Sequence, residues 1–197
     1  MQGLHRKSLY TRLQGPLWPG LLCKSTLIFD LKALRIVRRA SQTPYMINLR
    51  VYGILLGENK QVLVSDEYIR GGYYTKFPGG GLEFGEGTRD CLKREFKEEM
   101  DLEVRIGDHL YTTDFFQMSA FNPEHQIISI YYFAEALGPI KAPLRTKPFD
   151  FDERELRIYA ERKETETFRF IDWHQFSAES VTLPIDKVVA DIVKARY

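Results

Sequence analysis

The chain has 197 residues, of which 44% are hydrophobic and 28% charged, a composition typical of globular proteins. Its formal net charge of +1 is unevenly distributed, since residues 1–45 carry eight Lys or Arg and one acid, Asp30, leaving 20 basic and 26 acidic residues in 46–197. This acidic body lacks the basic face that general nucleic-acid binding needs. No apolar run reaches the roughly 18 residues that span a bilayer. We therefore expect neither nucleic acid nor a membrane as a partner.

The first 45 residues differ from the rest, because they are basic, nearly free of acids and interrupted by Pro16 and Pro19. Three interpretations are open. Met46 is the natural start and the preceding codons are read through, or the segment is a disordered extension, or it is a targeting segment, since such segments are rich in Arg and poor in acids. We expect the domain to cover 46–197. Two cysteines and no disulfide framework favour a cytoplasmic protein, or an organelle-targeted one if 1–45 is a transit segment.

From Met46 onward, runs of β-branched and aromatic residues predict strands. The predicted strands cover 47–57, 61–65, part of 102–116, 126–136 and 167–173. The run 126–136 is almost continuously apolar, as expected of a central strand that is covered on both faces. The segment 66–81 is rich in Gly and contains Pro78, so it is predicted to be a loop.

Two segments have helical periodicity. In 89–100, with Thr88 as the predicted N-cap, the apolar stripe consists of Leu92, Phe96 and Met100. The second helix begins at Pro184 and is predicted to turn four apolar residues inward: Ile185, Val188, Val189 and Ile192. Strands interleaved with two helices predict an α/β fold in which a mixed β-sheet lies between helices.

The first helix carries an unusual concentration of negative charge. Glu95, Glu98 and Glu99 stand at i, i+3 and i+4, so they share one face, and each like-charged pair costs an exposed helix roughly 0.2–0.5 kcal/mol. Three glycines, 79–81, precede the helix and allow a ligand to approach the backbone closely. Since hard cations such as Mg²⁺ bind carboxylates together with substrate phosphates, this pattern indicates a platform for a magnesium–pyrophosphate complex.

The wider spacing points to a family. The segment begins with Gly80, has Glu86 after five intervening residues and "REFKEE" at 94–99 after seven more, and ends with the aliphatic Leu102. It follows the pattern G-x5-E-x7-R-E-U-x-E-E-x-G-U, where U is a bulky apolar residue. In the spacing of these residues, the chain resembles the Nudix hydrolases. One position departs from the family pattern, because Asp101 stands where the family has a glycine that ends the helix in a left-handed conformation. Asp tolerates that conformation better than most residues, so we expect a slightly strained cap and an intact site.

The resemblance implies a Nudix-type fold and hydrolysis of a nucleoside diphosphate linked to another group, with Mg²⁺ or Mn²⁺ as the cofactor. It implies that Glu98, Glu99 and the Gly79 carbonyl bind the metal, and that Glu95 is a metal ligand or the general base. The resemblance also implies that Arg94 pairs with Glu86 and orients the site.

Further site residues are less strongly indicated. A downstream acid often completes such sites, and Glu161, Glu164 and Glu166 are candidates, of which Glu164 is preferred. Aromatic residues that could stack on a base are Tyr73, Tyr74 and Phe121. The substrate is a small-molecule nucleotide, and a nucleotide sugar, ADP-ribose and a nucleoside triphosphate are all open. A homodimer is compatible with the sequence. The alternative function is a non-catalytic Nudix-fold module that binds or senses a nucleotide, although such modules tend to lose the glutamates that are present here.

Overall fold

The computed structural model describes residues 46–197, and the predicted extension at 1–45 lies outside the described residues. The strands are β1 (Met46–Leu55), β2 (Gln61–Ile69), β3 (Gly72–Lys76), β4 (Gly79–Gly81), β5 (Val104–Thr112), β6 (His125–Ala136), β7 (Leu144–Arg145) and β8 (Glu164–Asp172). The helices are α1 (Thr88–Met100), α2 (Glu153–Arg162) and α3 (Pro184–Arg196), with a short 3₁₀ turn at Ala178–Ser180. Within 46–197, none of the helices has the length and apolar character needed to cross a membrane.

The strands form two four-stranded mixed sheets, in the orders β4-β1-β6-β5 and β3-β2-β8-β7. In the first sheet β1 runs parallel to β6 and antiparallel to β4, and in the second β2 runs antiparallel to both β3 and β8. Because side chains alternate along a strand, β1 and β2 contribute to two separate core clusters. The cluster with α1 contains Val51, Leu55 and Leu63, and the cluster with α3 contains Tyr52, Ile54, Val62 and Val64. The predicted α/β fold is thus confirmed.

Several elements differ from the sequence prediction. Segment 66–81 is not a loop, since it contains the end of β2 and the whole of β3 and β4. The glycines of β4 pair with β1 through their backbone, Gly79 opposite Tyr52 and Gly81 opposite Arg50, so they leave no side-chain pattern to recognise. Helix α2 was also missed, and within the described chain it buries none of its side chains fully. It begins with a capping box formed by Asp152 and Glu155.

Three details of the predicted elements are wrong. The N-cap of α1 is Gly87, and the Thr88 hydroxyl lies 2.9 Å from the Tyr132 hydroxyl instead of capping the helix. Val188 does not face inward but is exposed, and the buried positions of α3 are Ile185, Asp186, Val189, Ala190 and Val193. Strand β6 does lie inside its sheet, but it is not covered along its length, since its buried residues are Ser129, Tyr131 and Ala134.

Asp101 ends α1 in the left-handed conformation, as expected, with φ 48° and ψ 40°. Its backbone N–H donates to the Lys97 carbonyl at 3.0 Å, and the N–H of Leu102 donates to the Phe96 carbonyl at 3.2 Å. The carboxylate also accepts from Lys141 at 2.5 Å and forms an ion pair with Lys97 at 2.6 Å. These hydrogen bonds, from Lys141 first and Lys97 second, lower the pKa of Asp101 to about 2. The side chain therefore offsets part of the strain that its backbone introduces.

Asp101→Gly should separate these two effects. Glycine relieves the left-handed strain but removes both lysine contacts, so at low salt we expect a thermal midpoint close to that of the wild type. At about 1 M salt the screening length falls to roughly 3 Å, the exposed ion pairs weaken, and the variant should become the more stable protein. Thermal unfolding at the two salt concentrations tests this, with Lys141→Met as the control that removes one contact without changing the backbone. A glycine variant that is less stable at high salt would contradict the strain argument.

Candidate active site

Two glycines of β4 bring the backbone into close contact with its neighbours. Gly79 has φ 131°, and a Cβ added to it would lie 2.2 Å from the Val51 carbonyl oxygen. A Cβ on Gly80 would lie 2.3 Å from a carboxylate oxygen of Glu95. Because Gly80 has no side chain, Glu95 on α1 can rest directly against the strand.

The three glutamates predicted to share one face of α1 do so, and they line one cavity together with the glycines of β4. The cavity has a volume of about 700 Å³. The side chain of Glu95 is 12% exposed and that of Glu98 is 62% exposed, so the glutamates lie at different depths. Glu99 lies deep in the wall, and its Oε2 atom is buried without a hydrogen-bond partner among the described residues.

Arg94 holds the charged groups of this region in place. Its Nη2 and Nε donate to the two carboxylate oxygens of Glu86 at 2.8 and 3.1 Å. Its Nη1 donates to Glu95 at 3.0 Å and to Glu98 at 3.2 Å, and Nη2 also donates to the Gly81 carbonyl at 3.1 Å. The hydrogen bond from Arg94, with one from the backbone N–H of Glu83, lowers the pKa of Glu86 to about 2. Arg94 is therefore a bidentate anchor that orients two of the three helical glutamates.

Two further carboxylates approach from the second sheet. Glu67 on β2 stands directly opposite Glu166 on β8, an arrangement that is unfavourable for like charges unless a cation offsets it. Glu166 accepts a hydrogen bond from the Ser65 hydroxyl at 3.0 Å. Burial, followed by the charge of Glu67, raises the pKa of Glu166 to about 7. Burial and then the charge of Glu166 raise the pKa of Glu99 well above its usual value.

Lys76, the last residue of β3, lies between these carboxylates and the glycine strand. Its Nζ is 2.6 Å from Glu67 Oε1 and donates to the Gly79 carbonyl at 3.2 Å. Burial, the largest single influence, disfavours the charged ammonium, but Glu67, Tyr52 and Glu99 together outweigh it, so the pKa of Lys76 is raised overall. The site thus contains a buried lysine that is charged at neutral pH.

The three candidate downstream acids differ in their exposure and in whether they line the first cavity. Glu164 is exposed at the start of β8 and lines the cavity, whereas Glu161 is exposed on α2 and is not among its lining residues. Glu166 lies deeper than either, next to Glu99. Alternation along β8 places both Glu164 and Glu166 on the side of Phe168, which packs in the α1 cluster, and Glu166 is the one nearer to that core. The sequence prediction missed Lys76 and Glu67, whose role depends on strand pairing.

The residues present fit a hard divalent cation. The donor set is made of carboxylate oxygens and the Gly79 carbonyl, and the Oε2 of Glu99 is a buried oxygen donor without a partner among the described residues. In residues 46–197 no three His, Cys, Asp or Glu side chains converge as a ready metal site. Arg94 holds Glu95 and Glu98 in its own hydrogen bonds, and this keeps their carboxylates turned toward the guanidinium.

A second cavity of about 420 Å³ adjoins the first, and both are lined by Arg50, Glu67, Ile69, Lys76 and Glu164. Two of the three predicted stacking residues, Tyr74 and Phe121, line it and pack edge to face with ring centroids 5.3 Å apart. Tyr73 is not among the described residues that line either cavity. It stacks instead on Tyr68, with ring centroids 4.5 Å apart.

Asp186, a buried residue in the first turn of α3, lines the second cavity. Its Oδ1 accepts a hydrogen bond from the Tyr131 hydroxyl at 2.6 Å, while its Oδ2 is buried without a partner among the described residues. Burial raises the pKa of Asp186 to about 7, although the hydrogen bond from Tyr131 partly opposes this rise. The second cavity therefore combines two aromatic rings with one unpaired acceptor.

Comparison with known proteins agrees with this geometry. A family model described as the NUDIX domain matches residues 46–192. The structure is similar to a MutT protein from Methanosarcina mazei Go1, with a TM-score of 0.55 at 14% identity over 78% of this chain and 97% of that one. It is also similar to a NUDIX hydrolase from Nitrosomonas europaea, with a TM-score of 0.52 at 16% identity over 76% and 89% of the two chains. A UDP-X diphosphatase gives a TM-score of 0.50 at 14% identity over 85% and 73%.

At these identities the solved structures show a shared fold. The family match covers most of the chain and includes the whole acidic helix with its glycine approach. The chain therefore belongs to the Nudix hydrolase family.

Proposed function

We propose that this chain hydrolyses a pyrophosphate bond in a nucleoside diphosphate linked to another group, with Mg²⁺ or Mn²⁺ as the cofactor. The observation that carries the proposal is the carboxylate face of α1, which lies against the glycine strand and has a buried, partnerless oxygen on Glu99. A solvated acidic surface would not bury an unpaired carboxylate oxygen, because that oxygen loses its hydration without compensation.

Each residue has a distinct part in this reaction. Glu98, Glu99 and the Gly79 carbonyl would hold the cation, which when bound polarises phosphoryl oxygens and lowers the pKa of a water molecule. Glu95 is either a further ligand or the base that removes the proton of the attacking water. Arg94, held by Glu86, positions Glu95 and Glu98 through its hydrogen bonds.

Glu166 is the better candidate than Glu164 for the acid that completes the site. It is half-buried beside Glu99, whereas Glu164 is exposed at the edge of the cavity. Its hydrogen bond from Ser65 fixes one carboxylate oxygen and so limits its orientation.

The second cavity supplies a place for the organic part of the substrate. Tyr74 and Phe121 offer aromatic surface, and the unpaired Oδ2 of Asp186 would accept an N–H of a planar base. Arg50, on the boundary between the cavities, would face the phosphates that link the two halves of the substrate. Nucleotide sugars, ADP-ribose and nucleoside triphosphates all have this division into base and phosphates.

Incubating the full chain with a panel of these compounds, with and without Mg²⁺, tests the proposal. Chromatography of the products should show a nucleoside monophosphate released only when the cation is present. Nucleotide binding by calorimetry without any turnover across the panel would support the alternative, a non-catalytic sensing module.

Asp186→Asn should change how stability depends on pH. A carboxyl with a raised pKa binds its proton more tightly when folded, so its contribution to stability is present below about pH 4 and is lost as pH rises to about 7. Asparagine has no such titration, and its oxygen can still accept from Tyr131. We therefore expect the variant to gain thermal stability relative to the wild type between pH 5 and pH 8, on the order of 1 kcal/mol or more. Parallel curves for the two proteins would show that Asp186 is ionised throughout.

A further inference from the structure

Helix α2 presents two arginines to the larger cavity. Arg154 and Arg162 line this cavity together with Ile158, and intervals of four residues place all three on one face of the helix. At a rise of about 1.5 Å per residue, the two arginines lie about 12 Å apart along the helix axis. Because the carboxylates of α1 line the same cavity, the two arginines and the proposed metal site share one space.

The guanidinium groups of Arg154 and Arg162 form no hydrogen bond or ion pair with another of the described residues. Two acids at the start of α2 line the cavity as well, but Arg145 binds both, Asp152 at 2.7 Å and Glu155 at 2.9 Å. Both arginines of the cavity wall are exposed, so a ligand can reach them. This wall of the cavity therefore carries two positive charges to which no described protein group is bound.

A third arginine of α2, Arg157, occupies an ordinary surface position on the same helix. It is exposed, lines neither cavity and has Glu153 and Glu161 four residues before and after it. That spacing is typical of charge pairs on a helix surface. Arg154 and Arg162, by contrast, have no acid three or four residues away within α2. Their charges are therefore placed for a partner outside the helix.

We propose that Arg154 and Arg162 bind the phosphate oxygens that lie beyond the hydrolysed bond, and that they thereby select a nucleoside triphosphate over nucleotides that end in a neutral sugar. This inference rests on the proposed function, which places the base in the second cavity and the cation on α1. The remaining phosphates then extend toward the wall that α2 forms. A guanidinium donates two parallel hydrogen bonds to a phosphate and stays charged, so it recognises this group better than a sugar hydroxyl.

The test compares a nucleoside triphosphate with a nucleoside diphosphate linked to a neutral sugar, both with the same base, as substrates of the full chain with Mg²⁺. The wild type should have the higher kcat/KM for the triphosphate. Arg154→Gln and Arg162→Gln should each lower that value at least ~10-fold, mainly by raising KM, since a hydrogen bond from a charged group is lost. For the sugar compound each variant should stay within about twofold of the wild type. Arg157→Gln is the matched control and should leave both values unchanged.

A wild type that prefers the sugar compound, equal losses for the two compounds, or the same losses in Arg157→Gln would overturn the inference. A wild type that hydrolyses neither compound would remove the proposed function instead, and binding then decides the inference. Calorimetry should use analogues in which a methylene group replaces the bridging oxygen of the scissile bond. The double variant Arg154→Gln, Arg162→Gln should bind the triphosphate analogue at least ~10-fold more weakly than the wild type, and the sugar analogue equally well. Unchanged affinity for the triphosphate analogue overturns the inference.

Discussion

Replacing Glu98 by glutamine is expected to lower the rate of hydrolysis at least ~100-fold while leaving the fold intact. A metal-based charge stabilisation supplies several kcal/mol in the transition state, and each 1.36 kcal/mol changes the rate about tenfold. The Glu98 side chain is 62% exposed, so the substitution opens no cavity in the core. Its removal also relieves repulsion with Glu95, so the thermal midpoint should be unchanged or slightly higher.

Turnover, Mn²⁺ affinity and thermal midpoint should be measured together. Glu103→Gln is the matched control, because Glu103 is 70% exposed, pairs with Lys97 and is not among the residues that line the cavity. It should keep full activity. If Glu95 is the base, Glu95→Gln should also lose ~100-fold or more. Near-normal turnover in Glu98→Gln, with an intact response to metal, would leave the acidic face as solvated surface.

Gly79→Ala is expected to lower the stability of the fold, whereas Gly80→Ala is expected to lower the rate of hydrolysis. At Gly79 the added Cβ meets the backbone oxygen of Val51 at 2.2 Å with φ at 131°, and backbone cannot move aside cheaply. We expect a loss of ~3 kcal/mol or more in the free energy of unfolding. At Gly80 the Cβ meets the end of the Glu95 side chain at 2.3 Å, which can turn away. The fold should then survive, but a displacement of about 1 Å at a reacting group can cost 10²-fold in rate.

Chemical denaturation and turnover of both variants separate these outcomes. Gly81→Ala is the control, because no described atom lies within 4 Å of its added Cβ. It should retain its stability. An active Gly80 variant would show that the close approach of Glu95 to β4 is not needed for catalysis. Equal loss of stability at Gly79 and Gly80 would show that Glu95 cannot turn away from the added Cβ.

Local sequence patterns were sufficient to predict the acidic face of α1, but not the side of the site formed by β2, β3 and β8. Glu95, Glu98 and Glu99 could be placed on one face because helical periodicity acts over a few residues. The opposition of Glu67 and Glu166 depends on the pairing of β2 with β8, which joins residues far apart in the chain. Lys76 lies in a segment that the sequence predicts to be a loop. In the structure it is the last residue of the short strand β3 and is buried. The sequence therefore predicts the side of the site built from one element and misses the side assembled from several.

Helix α2 gives the larger cavity one wall that differs from the others. Arg154, Ile158 and Arg162 line that cavity from α2, yet within the described chain the helix buries none of its side chains fully. It is held at its first turn, where Arg145 donates to Asp152 at 2.7 Å and to Glu155 at 2.9 Å, and by Tyr159, which stacks on Tyr68 of β2 with ring centroids 3.8 Å apart. Lifting such a helix exposes little apolar surface, so its local opening costs far less free energy than unfolding of the core. Substrate could then enter and product leave past α2, while α1 and the sheets keep the carboxylates fixed.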